Sequence, residues 1–201
     1  NPVAAIREAY GDRLVLTVGR LVYYKGLEFL VRAMRHVRGH ALVIGQGPMR
    51  ESLVAEARAL GLAERITFLG HVPDPLPYYH AARVFALPSH MRSEAFGIVQ
   101  LEAMASGLAV VNARIPSGVP AVSIDGITGI TVPPADPAAL ATAINALLDS
   151  PTLAQQMGRA GRQRVMDRYS LGGMTGRTLA LYEQVLSQRE LPRRRRTRVR
   201  P

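Results

Sequence analysis

The sequence predicts an α/β domain built on a doubly wound parallel sheet. Two patterns carry that expectation. Short β-rich runs alternate with helical stretches along most of the chain. Several of those runs are apolar at consecutive positions, as strands covered on both faces require.

Residues 14–18 form the first run, which ends at Gly19. Beyond Lys25 and Gly26, the residues Leu27, Leu30, Val31, Met34 and Val37 recur at the spacing of one helical face. A second strand is predicted at 41–44, closed by Gly45 and Gly47, then a helix at 49–60 with Gly61 suited to its C′ position. Residues 66–69 read as a third strand, followed by a proline-rich turn and a short helix near 78–82. A fourth strand at 84–87 leads into a helix at 97–106 and a fifth strand at 108–111. Residues 130–132 suit an edge strand. Helices follow at 136–148, where Asp136 is a good capping residue, and at 151–169 and 174–188. Right-handed crossovers make this order a Rossmann-like sheet, in which ligands sit at the carboxyl ends of the strands. The loops after Val18, Ile44, Leu69, Leu87 and Val111 are therefore the ones to search for chemistry.

Composition narrows the class. With 201 residues, 48% hydrophobic and 20% charged, the chain fits a globular domain and not a disordered or fibrous protein. No apolar run approaches the roughly 18 residues of a membrane span, and the first residues lack a charged-then-apolar signal. The absence of cysteine excludes a disulfide scaffold, a zinc ribbon and a cysteine nucleophile. A cytoplasmic location is expected.

The net charge of +10 is unevenly spread. Arg193, Arg194, Arg195, Arg196, Arg198 and Arg200 supply six of those charges, which leaves about +4 for the rest. The expected organisation is one domain at 1–190 and a basic, disordered tail at 191–201. Lys25 is the one lysine among 25 basic residues, and it stands in a glycine-flanked loop.

That loop runs from Gly19 to Gly26 and places Arg20 and Lys25 at the ligand edge, just before a helix whose N-terminus is itself positive. A bound diphosphate needs such a field, although an ordinary solvated pair of cations fits the residues alone equally well. Tyr24 breaks the Walker A pattern, and Arg50 breaks the dinucleotide-binding fingerprint after Gly45 and Gly47. After the fourth strand, Glu94 precedes a helix and Glu102 falls in its second turn. Between them the backbone N–H groups of Phe96, Gly97 and Ile98 are the unsatisfied donors of a helix start. Amides and cations can hold an anion while the carboxylates accept hydrogen bonds from neutral hydroxyls. That division of labour suits a nucleotide-sugar. Two acids at this spacing are also common by chance.

Several motifs in order raise the specificity. They are Gly19-Arg20-Leu21 with Lys25-Gly26, Gly45-x-Gly47-Pro48, Phe68 through Val72, and Glu94-Ala95-Phe96-Gly97-Ile98 through Gly107. From about Gly11 to Tyr169 the chain resembles the donor-binding half of retaining GT-B glycosyltransferases of family four. The resemblance implies the C-terminal half of a GT-B fold. It implies that Arg20 and Lys25 bind the donor diphosphate and that Glu94 holds hydroxyls of the transferred sugar, these three forming the catalytic set. It assigns Gly19, Ala95, Phe96, Gly97, Ile98 and Val99 to the phosphate and sugar. Glu102 would take the ribose, with Val72 and Leu76 flanking the base. Relatives often carry Gly-Gly-x-Pro-Glu after the fifth strand, whereas this chain has Ser117-Gly118-Val119-Pro120-Ala121.

The implied reaction moves a hexosyl group from a UDP- or GDP-sugar to an acceptor hydroxyl with retention, by front-face substitution. It needs no cofactor and no metal; the sequence has no Asp-x-Asp or His-Glu-x-x-His pattern, and Gly39 interrupts any helix joining His36 to His40. An N-terminal acceptor half is implied as a partner, without which the isolated domain is expected to be inactive. The alternatives are a sugar-nucleotide epimerase of the same architecture and a non-catalytic nucleotide-sugar-binding module. A glycosidase pair is disfavoured: were both glutamates helical they would stand about 12 Å apart, beyond the roughly 5–9.5 Å required. The arginine-rich tail suggests an anionic membrane surface, and thus a peripheral position on its inner face. It does not suggest specific nucleic-acid binding, since aromatics are only 5% of the chain.

Overall fold

The structure, a computed structural model, describes residues 1–188. The tail expected at 191–201, and the last two residues of the domain expected at 1–190, lie outside the described residues. Six parallel strands form one sheet in the order β3-β2-β1-β4-β5-β6. They are β1 (Leu14–Val18), β2 (His40–Ile44), β3 (Ile66–Gly70), β4 (Val84–Leu87), β5 (Ala109–Ala113) and β6 (Gly129–Val132). The order reverses between β1 and β4, so the loops leaving these two strands open a crevice at the carboxyl edge.

Consecutive apolar residues in the central strands serve two cores. Val15, Val43, Ala86 and Val111 face one side, where they meet α2 (Leu27–Ala33), α3 (Arg50–Ala59) and α7 (Pro137–Asp149). Leu14, Leu16, Leu42, Phe85 and Val110 face the other, against α1 (Pro2–Tyr10), α4 (Leu76–Ala81), α5 (Ile98–Ala105) and α6 (Val119–Val122). Each fully buried Leu or Phe contributes about 1.5–3 kcal/mol of transfer free energy, so both faces of the central strands stabilise the sheet. Two long helices complete the domain, α8 (Pro151–Arg168) and α9 (Leu171–Gln188). Among the described residues, no helix is long and apolar enough to cross a membrane.

Four details differ from the sequence reading. Helix α1 was not expected. Asn1 caps it by accepting from the Val3 amide and Pro2 opens it, but Ile6 is its one buried residue, too little for a periodic signal. Helix α2 stops at Ala33, although Met34 and Val37 remain buried in the turn that follows, so the apolar spacing outlasts the helix. Strand β5 extends to Ala113 because Asn112, a polar residue, is as buried as its neighbours. The four-residue α6 is too short to carry a pattern.

Candidate functional site

The loops after β1 and β2 are joined backbone to backbone. Gly19 N donates to Ile44 O at 2.9 Å, Leu21 N to Gln46 O at 2.9 Å and Met49 N to Leu21 O at 3.1 Å. A side chain at Gly45 would place Cβ 1.8 Å from Gly19 O, so only glycine permits this approach. A 3₁₀ turn at Tyr23–Lys25 then ends on Gly26 in the left-handed region, φ 65°, with no room for a Cβ beside Pro88 O. His90 N donates to Tyr24 O at 3.1 Å, tying the cationic loop to the one that leaves β4.

This docking determines the setting of Lys25. Its Nζ lies 2.5 Å from Glu94 Oε2, and the two side chains are only 14% and 9% exposed. Ser89, fully buried, donates its hydroxyl to the same carboxylate oxygen at 3.1 Å. Arg20 is different. It is exposed, and among the described residues it has no acidic partner. At the same edge stand one cation already paired and one free.

Glu94 and Glu102 do not share a helix. Glu94 sits in the loop, and α5 begins only after Gly97, whose φ of 70° lets the chain turn sharply into the helix. Ala95 and Phe96 are exposed, Gly97 is buried, Ile98 is 66% exposed and Val99 is half-buried, and the first amides of α5 have no intrahelical acceptors. Glu102, one turn further on, accepts a 2.8 Å hydrogen bond from the hydroxyl of Tyr79 on α4. Burial, and then the Glu102 carboxylate, push the Tyr79 phenol well above its ordinary range, so it stays a proton donor.

Two open pockets meet at Pro75. One, of ≈ 440 Å³, is lined by Gly19, Arg20, Gly45, His71 and Val72. The other, of ≈ 300 Å³, is lined by Leu76, Tyr79, Glu102 and Ser106. A groove therefore runs along the carboxyl edge from Arg20 past Val72 to Leu76 and Glu102. Among the described residues, no three of His, Asp and Glu gather as a metal site would require.

Every site residue named from sequence lies on the loops or helices at this edge. Three contributors were missed. The motifs point to neither Tyr79 nor Ser89, and nothing in the sequence pairs Lys25 with Glu94. Only Tyr79 carried a local hint, as an aromatic with a polar end on a short helix. The other two depend on loop docking across the sheet.

A family model described as glycosyl transferases group 1 matches residues 4–164. The D-rhamnosyltransferase WbpZ of Pseudomonas aeruginosa is 39% identical over 160 residues, which is 79% of this chain and 42% of that protein. The GDP-mannose-dependent alpha-(1-6)-phosphatidylinositol monomannoside mannosyltransferase of Mycolicibacterium smegmatis is 41% identical over 181 residues, 83% of this chain and 47% of that protein. Among solved structures, the C-terminal domain of LpcC, a glycosyl transferase group 1 family protein of Francisella tularensis, superposes with a TM-score of 0.73 at 25% identity, over 84% of this chain and 92% of that one. The chain spans about half the length of the curated relatives it matches. With the motifs in order along a sheet of this topology and a family match from residue 4 to 164, the chain belongs to the group 1 glycosyl transferases.

Proposed function

We propose that this chain is the donor-binding half of a retaining glycosyltransferase, which moves a hexosyl group from a UDP- or GDP-sugar to an acceptor hydroxyl. The observation that carries the reading is that Arg20 and Glu102 line adjoining pockets at the carboxyl edge of the sheet, with the Lys25–Glu94 pair and the start of α5 on the loops of the same edge. The diphosphate lies between Arg20 and the amides of Phe96, Gly97 and Ile98. The sugar's hydroxyls bind at Glu94, and the ribose hydroxyls at Glu102. Val72 and Leu76 flank the base. The name of the Mycolicibacterium relative favours GDP-mannose as a first donor to test.

When the glycosidic bond breaks, negative charge grows on the departing diphosphate. Arg20 and the helix amides already point at it, and such a donor contributes about 3–4 kcal/mol of transition-state stabilisation. Lys25 plays two parts in this geometry. It neutralises Glu94, so that a carboxylate can be kept beside an anionic substrate, and its ammonium remains close to Gly19 at the diphosphate end. No metal is needed for charge compensation on this scheme. The acceptor and the opposite wall of the cleft belong to a second domain, without which the chain is inactive.

Calorimetric titration with GDP, UDP, ADP and their hexose conjugates tests the reading. Glu102→Ala is expected to weaken the free nucleotide, whereas Glu94→Ala weakens the sugar-bearing donor more than the free one. Failure of every nucleotide to bind, or equal losses for both ligands in both variants, would overturn it. Tail-driven binding to anionic lipid is a separable part of the proposal, worth about 1 kcal/mol per arginine near the surface. Equal vesicle sedimentation with and without residues 191–201 would remove it.

A further inference from the structure

Polar side chains inside an apolar region have to be hydrogen-bonded, and where they sit shows what they hold. Gln100 on α5 is completely buried, although its neighbours Ala103 and Met104 pack into the core. Asn112 lies in the otherwise apolar β5 with 1% exposure. Gln100 Nε2 donates to Phe96 O at 2.8 Å and to Val119 O at 3.2 Å. Asn112 Nδ2 donates to Gln100 Oε1 at 3.3 Å, and Thr131 on β6 donates its hydroxyl to Asn112 Oδ1 at 2.8 Å. Both protons of the Gln100 amide and its oxygen are used, all in one consistent direction from β6 through β5 to the turn before α5. A further bond, Gly118 N to Ala95 O at 2.8 Å, closes the same turn from the other side.

We infer that Gln100, oriented by Asn112 and Thr131, is a positioning residue that fixes the Ala95–Phe96–Gly97 turn so that the amides opening α5 face the nucleotide. The functional half of this inference rests on the donor-site reading above; the mechanical half does not. The turn needs such a holder. The Ala95 side chain is exposed, Phe96 is partly so with its ring edge-on to Tyr169 at 5.8 Å, and Gly97 is in the left-handed region, so hydrogen bonds add to the limited apolar packing that holds the turn. The Gln100 carboxamide sits against Gly97, where an added Cβ would come within 3.1 Å of Nε2. Two backbone carbonyls, Phe96 O and Val119 O, are thereby tied to one planar group, which sets the angle between the turn and the start of α6.

The test uses Gln100→Met, which keeps the volume and removes both donors, in the 201-residue chain. Thr128→Val is the stability control, because it removes an equally buried hydroxyl bonded to Ser123 and Ile124 away from the turn. In the ligand-free protein, exchange of the Gly118 amide is expected to be at least tenfold faster in Gln100→Met than in the parent, and unchanged in Thr128→Val. The Kd for whichever of GDP or UDP the parent binds is expected to rise at least fivefold in Gln100→Met and less than twofold in Thr128→Val. Thr131→Val gives the same pattern in milder form and stands in should Gln100→Met fail to fold. Unchanged exchange overturns the positioning role. Faster exchange with unaltered nucleotide affinity overturns its link to the nucleotide. A parent that binds neither GDP nor UDP overturns the donor-site reading, and with it the functional half only.

Discussion

Lys25 Nζ and Glu94 Oε2 stand 2.5 Å apart at the carboxyl edge of the sheet, a nearly buried ion pair formed by two loops that never meet in sequence. Removing one partner of such a pair leaves a charge without water or counter-charge, at a cost of about 3–5 kcal/mol, whereas removing both together is far milder. Lys25→Met and Glu94→Gln are each expected to destabilise the chain by much more than Lys25→Met/Glu94→Gln. Urea unfolding of the three variants measures the coupling. Additive losses would show that the pair is not formed in solution. On the proposed function, Lys25→Ala is expected to lower turnover at least tenfold when the donor half is joined to an acceptor half.

Tyr79 gives Glu102 its one side-chain hydrogen-bond donor among the described residues, at 2.8 Å, while its ring packs against Phe85 at 5.8 Å between centroids. Tyr79→Phe keeps the packing and removes the hydroxyl. Because Glu102 is exposed and can turn to water, the stability loss is expected to be only about 1 kcal/mol. The affinity for free nucleotide should fall several-fold, since the carboxylate loses its fixed orientation. Calorimetry alongside thermal unfolding separates the two effects, and unaltered affinity would detach Tyr79 from the site.

The fold was legible because the central strands obey one rule, apolar on both faces, and the first five strands are separated by helical stretches. That rule gave five strands and the edge strand without any long-range information, whereas the strand order and its reversal between β1 and β4 come from the structure. The groove at the carboxyl edge was legible in part. Glycines at 19, 26 and 97 and the acids at 94 and 102 mark loop ends, and loop ends at one edge of a parallel sheet converge by topology alone. What could not be read was pairing across loops. Lys25 meets Glu94 only because Gly26 docks on Pro88 and His90 N reaches Tyr24 O. Nor could Gln100 be told from a surface glutamine, since its buried partners, Asn112 and Val119 O, come from a strand and a short helix later in the chain.

Ala135, with φ 56°, is the one non-glycine residue in the left-handed region among the described residues. It lies just before Asp136, whose carboxylate caps α7 by accepting from Ala139 N at 2.9 Å. The left-handed conformation costs an alanine about 1–2 kcal/mol. Glycine removes that strain but raises the entropy of the unfolded chain by about 0.4–1 kcal/mol. Ala135→Gly is therefore expected to be neutral to stabilising by about 1 kcal/mol, the reverse of the usual effect. A clear loss of stability in urea unfolding would contradict the strained assignment.

His40 opens β2, with Nε2 2.8 Å from Thr67 Oγ1 and its ring 5.2 Å from that of Tyr10. Burial first, and then the charge of Arg65, hold its pKa below the ordinary 6.5, against a smaller opposing effect of Glu64. Between that lowered value and 6.5 the unfolded chain carries the proton and the folded one does not, so stability rises with pH across the window. The contribution is complete above 6.5 and is lost as the pH falls towards the folded value. Carboxylates titrate lower down and would mask the effect in a single protein. The comparison is therefore with His40→Gln, a neutral side chain at every pH. The parent is expected to lose more of its unfolding midpoint than this variant between about pH 7.5 and 5.5. Identical pH profiles for the two would mean that His40 is protonated as easily in the fold as in the free chain.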